Sequence, residues 1–472
     1  MKNILMISHS DFPANSTVHI HHFANELVKL GYDCVVSVPH DKNSIDSLKG
    51  NLYRATQYDE IEQIQTLFCN QQPPDLVHAW TPREHVRIYC NALSAKYEFK
   101  LVIHLEDNEE SLIQRHLNLP IEQISGENEH LIPCNLSHPQ KYKEFLHTAD
   151  SVTVIIDSLN IFVPESMSTI TLLPGVENRQ FFPRPRNPEL ITSLNIPDHA
   201  TILCYTGNVH LANQEDVRCL YLAVGQRNLE GKPTILLRTG LDYNLQFLQQ
   251  DELWVKQYAI ELGWVDREQI PDILSLADIL VQPGKPDEFN DYRFPSKIPE
   301  FLALGKPIII PDTNIAHYLQ HLENALILPV VDQESLPKAI DLLVDNPDLA
   351  QKIGQQGLEF ALTNLNWGNS TKKLVSFYEA LFAPEKQLNS AVNVLKRMKF
   401  HLQECQHQEN QELATLQSTL QQTKNKVQEL QDLNHSLIRE IDSLKAEIMG
   451  MKTSKFWKIR KKWFKLKNLI GF

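Results

Sequence analysis

Lys297 and Glu300 stand three residues apart in EFNDYRFPSKIPEFLALGKPIIIPD, Glu288 to Asp312, and place a cation and a carboxylate beside a helix start. Pro295 restrains the residue before it and suits the opening of a helix, where Ser296 is placed to cap orphan amides and Lys297 adds positive charge suited to phosphate. Glu300, one turn on, is poorly placed for phosphate but able to accept hydrogen bonds from sugar or ribose hydroxyls. The pattern fits a site for a phosphorylated, hydroxylated ligand. It also fits an ordinary i,i+3 ion pair on a helix surface. Phe301 and Leu302 supply an apolar face, Gly305 ends the helix, and Ile308, Ile309 and Ile310 form a short run suited to a buried parallel strand.

The elements around this segment repeat one pattern twice. ILMI at 4–7, VVSV at 35–38, LVHA at 76–79, LVIH at 101–104, VTVII at 152–156 and ITLL at 170–173 read as strands separated by helices or loops. Ile20, Phe23, Leu27 and Leu30 recur at helical spacing between the first two. LLPGVENRQFFPRPRNPEL, Leu172 to Leu190, carries the Pro and Gly punctuation of an interdomain passage. A second series follows in ILCYTG at 202–207, TILLRTG at 234–240, DILVQP at 278–283, PIIIP at 307–311 and ALILPV at 325–330. Two layered α/β domains facing a cleft are expected, spanning residues 1–180 and 181–365. Neither half carries GxGxxG after its first strand, which argues against a nicotinamide enzyme.

Composition narrows the partners. The chain has 472 residues with 42% hydrophobic content, enough for two or three cored domains. Its seven cysteines, at 34, 69, 90, 134, 204, 219 and 405, are dispersed, with no metal-ligand spacing, and fit a reducing cytoplasm better than a disulfide framework. No signal peptide is apparent, and no apolar run approaches the roughly 20 residues that span a bilayer. The net charge of -13 argues against nucleic acid as a partner.

Beyond the closing segment at 366–383 the composition turns to Gln, Glu, Lys and Leu. Leu413, Leu420, Val427, Asn434, Ile441 and Ile448 recur every seven residues, interleaved by Leu416, Thr423, Leu430, Leu437 and Leu444. This seam predicts a coiled coil within 394–450, a homodimer by its residue types, with Asn434 selecting register. The alternative is a solitary helix folded onto the body. Residues 451–472 then combine Phe456, Trp457, Ile459, Trp463, Phe464 and Leu466 with eight Lys or Arg and no acid between Lys452 and Lys467. Such a segment suits the headgroup boundary of an anionic membrane, docking on another protein, or the chain's own acidic surface.

Taken in order, these segments resemble the retaining glycosyltransferases of the GT-B class, the glycogen-synthase-like bacterial group (glycosyltransferase family 4-like). The resemblance covers residues 1–383 and rests on DFPANSTVHIHHFANELVKLGYDCVV, LLPGVENRQFFP, ELGWVDREQIPDILSLADILVQP, SKIPEFLALGKPIIIPD and NWGNSTKKLVSFYEALF. It implies two Rossmann-like domains and a helix at 366–383 returning to the first. It also implies metal-independent transfer of a sugar, with retention, from a nucleoside diphosphate sugar to a saccharide or lipid-linked acceptor. No cofactor beyond that donor is implied. UDP and GDP donors both remain open.

The same resemblance implies site residues. Glu300 matches the ribose-binding carboxylate, and Pro295, Ser296 and Lys297 match the phosphate-proximal helix start. Gly207 and Asn208 fall in the first loop of the donor domain, and Asn15 and Ser16 fall where the group carries a glycine pair near the diphosphate. Tyr292 stands eight positions before Glu300, where the group has a second glutamate. Lys297 and Arg238 are the candidates for stabilising the diphosphate, and Arg238 also reads as a strand-end charge. His104 and Asp107, in VIHLED, are candidates for the acceptor side, with His104 equally readable as a structural histidine. A nucleotide-sugar epimerase, or a scaffold that keeps the fold while the coiled coil does the work, are the competing readings.

Overall fold

Aliphatic runs alternate with helices long enough to carry the chain back to the starting edge, so successive strands lie parallel. The computed structural model describes residues 2–124, 126–243, 246–383 and 387–469. Its first sheet comprises β1 (Asn3–Ile7), β2 (Asp33–Val38), β3 (Arg54–Gln57), β4 (Leu76–Trp80), β5 (Lys100–Leu105), β6 (Ser151–Val154) and β7 (Thr169–Thr171), ordered β3-β2-β1-β4-β5-β6-β7. The second comprises β8 (Thr201–Thr206), β9 (Thr234–Thr239), β10 (Ala259–Glu261), β11 (Ile279–Val281), β12 (Ile308–Pro311) and β13 (Leu326–Leu328), ordered β10-β9-β8-β11-β12-β13. All pairings between these strands are parallel.

Each sheet reverses direction beside its first strand, between β1 and β4 and between β8 and β11. Such a reversal opens a crevice at the carboxyl ends of the strands, where open α/β sheets bind ligands. The expected strands form, and two more close the edges. β3 (RATQ) and β10 (AIE) lack an apolar run because an edge strand packs on one neighbour only.

The Trp367–Leu381 helix returns to the first sheet. Its Leu374, Tyr378 and Leu381 share a core with Phe23, Leu27 and Trp80, and the Tyr378 hydroxyl lies 2.6 Å from His78 Nδ1. Its start is seated on the linker, where a Cβ on Gly175 would stand 2.5 Å from the Trp367 amide nitrogen.

A single helix runs from Gln387 to Thr453. The chain comprises two compact units that part within this helix, Met1–His401 and Leu402–Phe472. Within the first unit Arg397 is wholly buried, donating to Ser94 Oγ at 2.8 Å and to the carbonyls of Thr148 at 2.6 Å and Phe99 at 3.2 Å. Residues 394–401, which the heptad pattern assigns to the coiled coil, thus give Val394 and Arg397 to the interior of the body. In the second unit the heptad side chains stand exposed along the helix, Leu413 at 54% and Ile441 at 49%. A further helix covers Lys455–Leu469, and residues 470–472 of the basic tail lie outside the described residues. Among the described residues no helix is long and apolar enough to cross a membrane.

Candidate functional site

A cleft of about 470 Å³ lies over the carboxyl ends of β8, β9 and β11 and reaches Asn15 of the first domain. Two glycines let its floor close up. Gly207 ends β8 with φ +147° and Gly240 ends β9 with φ +106°, conformations that favour glycine. A Cβ on Gly240 would stand 2.3 Å from the Gly207 carbonyl oxygen, and one on Gly207 would stand 2.7 Å from Lys297 Nζ. No other residue leaves room for this approach.

Lys297, Ser296, Glu300, Gly207, Asn208 and Asn15 all line the cleft. The helix carrying Glu300 runs Ile298–Ala303, with Lys297 rather than Ser296 at its N-cap and no side-chain cap bond, so the expected capping by Ser296 is replaced by a side chain facing the cleft wall. Nor do Lys297 and Glu300 form the surface ion pair that their spacing allows. Glu300 accepts instead from Arg267 at 2.8 Å, while burial, opposed by Arg267, raises the pKa of its carboxyl. Lys297 Nζ lies over the Tyr205 ring, 4.1 Å from its centroid. Burial, reinforced by the neighbouring Arg293 charge, pushes the Lys297 ammonium down to about 7.

Arg293 is a cleft residue that the sequence pattern did not single out. Its guanidinium carbon lies 4.1 Å from the Phe289 ring centroid, and its Nε is buried without a hydrogen-bond partner. Burial lowers its pKa against the pull of Tyr205, Asp107 and Asp216. Among the described residues neither Arg293 nor Lys297 makes an ion pair or a hydrogen bond. Two such cations in one crevice are costly unless an anion joins them. Gln282, 6% exposed at the end of β11, adds an unpartnered Oε1 to the same wall, and Trp264, 69% exposed, adds an open aromatic face.

Arg238, Tyr292 and Ser16 fall elsewhere. Arg238 does not line the cleft: its side chain is buried, donating to Asp242 at 2.6 Å and to the Tyr221 hydroxyl at 2.9 Å. Asp242 balances its charge there, although Nη1 is buried without a partner, and β9 directs alternate side chains to opposite faces of the sheet. Tyr292 meets Phe162 edge to face at 5.2 Å and packs into the core instead of lining the cleft. Ser16 is turned away, its hydroxyl donating to Glu106. Asn208 lines the cleft but spends its Oδ1 accepting from the Leu241 amide at 2.8 Å, tying the two glycine loops together.

His104 is interior, 1% exposed, with Nδ1 2.8 Å from Thr153 Oγ1 and its ring 4.1 Å from Trp80. Burial pushes it down to about 3, so it stays neutral. Asp107 remains partly open at the end of β5, 3.5 Å from Arg83, and burial raises it to about 7 against the pull of Arg83. It is the first domain's carboxylate that acts on Arg293. Glu106, next to it, is buried and accepts from Trp80 Nε1 at 2.8 Å, with His19 Nδ1 3.1 Å away. Burial works against its ionisation, but the hydrogen bond with His19 outweighs it and holds the carboxyl below the usual range. Among the described residues no group of three or more His, Cys, Asp or Glu side chains is arranged to hold a metal ion.

Residues 200–346 match the family described as "Glycosyl transferases group 1". No curated protein sequence matches the chain. Solved structures do. Sucrose-phosphate synthase from Thermosynechococcus elongatus superposes with a TM-score of 0.62 at 18% identity, covering 81% of this chain and 100% of its own. HepE of Anabaena, in complex with UDP and glucose, gives 0.62 at 13% identity over 81% of this chain and 100% of its own. WaaG, a glycosyltransferase involved in lipopolysaccharide biosynthesis, gives 0.56 at 13% identity over 79% of this chain and 99% of its own. At these identities the likeness is one of fold, the two-domain GT-B arrangement.

Proposed function

We infer that this chain, which has the GT-B fold and whose residues 200–346 match the group 1 glycosyl transferases, moves a sugar from a nucleoside diphosphate sugar to a saccharide or lipid-linked acceptor with retention. The observation that carries this is the pair of unpaired cations, Lys297 and Arg293, over a glycine floor at the topological switch point. A diphosphate supplies the missing counter-charge. Glu300, held by Arg267, accepts the ribose hydroxyls, and Trp264 offers its face to the base.

In the reaction the bond from the anomeric carbon to the leaving phosphate oxygen breaks. The acceptor oxygen bonds to the same face of that carbon, and its proton passes to a donor phosphate oxygen. Charge grows on the departing diphosphate, where fixed cations in a partly dehydrated cleft stabilise it most. Asp107, at the end of β5 and close enough to act on Arg293, is read as the group that orients the acceptor hydroxyl.

The test is calorimetric titration of UDP and GDP from pH 6 to 9, followed by transfer assays with a panel of nucleotide sugars and lipid acceptors. Lys297 binds phosphate as its cation, so binding takes up a proton once the free side chain has titrated. Affinity is therefore highest below pH 7 and weakens above it by up to about tenfold per pH unit, until the bound-state pKa is reached. Lys297→Arg removes the slope, because a guanidinium stays protonated throughout. Donors that remain intact with every acceptor, or a flat pH profile for the wild type, sink this reading.

The C-terminal segments are read as a dimerising stalk and a membrane contact. Val427, Ile441 and Ile448 at one seam position with Leu416, Leu430, Leu437 and Leu444 at the other favour a parallel two-stranded coil, with Asn434 paired to its copy. In that register Glu440 faces Lys445 and Glu447 faces Lys452 of the second copy. The Lys455–Leu469 helix carries Phe456, Ile459, Trp463 and Leu466 along one side and Lys458, Lys461, Lys462 and Lys465 along the other, an arrangement suited to anionic headgroups. Deleting 402–472 should convert a dimer to a monomer in light scattering. Deleting only 452–472 should leave the dimer but cut partition onto phosphatidylglycerol vesicles by about 100-fold or more. A full-length monomer, or unchanged vesicle binding, refutes the respective half.

A further inference from the structure

Arg293 is set by a ring rather than by a carboxylate. Phe289 stands in a loop pinned by Asp287, whose Oδ1 accepts from the amides of Phe289 at 3.0 Å and Asn290 at 2.7 Å. The Phe289 ring then carries two guanidinium groups, one from each domain: Arg293 at 4.1 Å and Arg115, from the Glu109–Leu117 helix of the first domain, at 4.9 Å. The same loop meets the first domain twice more. Ser158 Oγ donates to the Asp291 carbonyl at 2.6 Å, and Phe162 packs on Tyr292.

We propose that Phe289 is a positioning residue for the donor: its ring holds Arg293 toward the diphosphate, and Arg115 on the same ring ties that placement to the approach of the first domain. The proposal rests on the donor site described above. A guanidinium without ion pairs has several rotamers of similar energy, and ordering it on anion binding costs entropy. A ring 4.1 Å from the guanidinium carbon favours one of them through its π face. The loop contacts with Ser158 and Phe162 hold the ring itself, so the cation is aimed before ligand arrives. Tyr292 takes its place in this scheme as the residue that anchors the loop to the first domain.

The ring's electrostatics separate this role from simple packing. Phe289→Leu keeps an apolar side chain but loses the π face, whereas Phe289→Tyr keeps the face. In titrations of the full-length protein with UDP and GDP, whichever the wild type binds should bind about tenfold more weakly to Phe289→Leu and within about twofold to Phe289→Tyr. Arg115→Ala should weaken binding about threefold in the wild type and leave the Phe289→Leu value unmoved, because both changes act through one ring. Wild-type affinity in Phe289→Leu, with Arg293→Ala impaired, overturns the positioning role alone. Unchanged affinity in Arg293→Ala overturns the donor site itself. Equal losses in Phe289→Leu and Phe289→Tyr also overturn the positioning role, since the face would then not matter.

Discussion

Replacing Arg293 or Lys297 by alanine is expected to lower the rate of glycosyl transfer by about 10²- to 10³-fold while leaving thermal stability unchanged or raised. The two effects run in opposite directions for one reason. Each cation is partly withdrawn from water without an ion pair or hydrogen bond among the described residues, so in the empty cleft it is a cost to the fold. In the reacting complex the same cation faces the negative charge that grows on the leaving diphosphate. The loss should therefore appear in the turnover number as well as in donor affinity. The double variant should fall short of the product of the single losses, since both side chains act on one diphosphate. Steady-state kinetics alongside differential scanning calorimetry checks this. A fall in melting temperature that tracks the fall in rate would make the residues structural. Unchanged turnover would remove them from the mechanism.

Arg397→Ala is expected to destabilise the body by about 3 kcal/mol or more, read as a lower urea midpoint of the first domain. The substitution strands the Thr148 and Phe99 carbonyls and the Ser94 hydroxyl inside the fold and leaves a cavity the size of a guanidinium. Arg397→Lys should recover little, because an ammonium cannot reproduce the planar fork that reaches three acceptors. Cutting the chain just before Gln387 should cost at least as much, since it also removes the buried Val394. Wild-type denaturation curves for Arg397→Ala would show that the helix root is merely laid against the domain.

Much of the architecture was legible. The two strand series, the linker and the strand after Gly305 follow from apolar period and turn chemistry, which act over a few residues, while the closing helix is implied by the family resemblance. The two strands that escaped, β3 and β10, are sheet edges without apolar runs. Placing the site on the Pro295–Glu300 segment was equally local, because a helix start and a residue one turn later must share a neighbourhood.

The partners of those residues were a different matter. Arg238 stands at the end of a strand and is the arginine expected near the diphosphate, whereas the sequence pattern does not single out Arg293, in the loop before Pro295. Only the sheet face and the loop path send one to Asp242 and the other into the cleft. His104 ends the predicted LVIH strand and is readable either as an acceptor-side group or as structural, and the inward pleat of β5 buries it against Trp80 and Thr153. Arg397 looks like any solvated charge in a polar helix until the helix root meets the first domain.

The sequence by itself determined the elements, their order, the glycines at Gly207 and Gly240, and the cation and carboxylate carried by one helix start, since all of these are set by interactions between near neighbours in the chain. Tertiary structure alone decided that Glu300 pairs with Arg267, that Arg293 joins Lys297 without a direct ion pair among the described residues, and that Tyr292 packs on Phe162. Those outcomes depend on which distant segments meet and on the burial that follows. Burial is what turns an ordinary lysine and arginine into charges that need an anion.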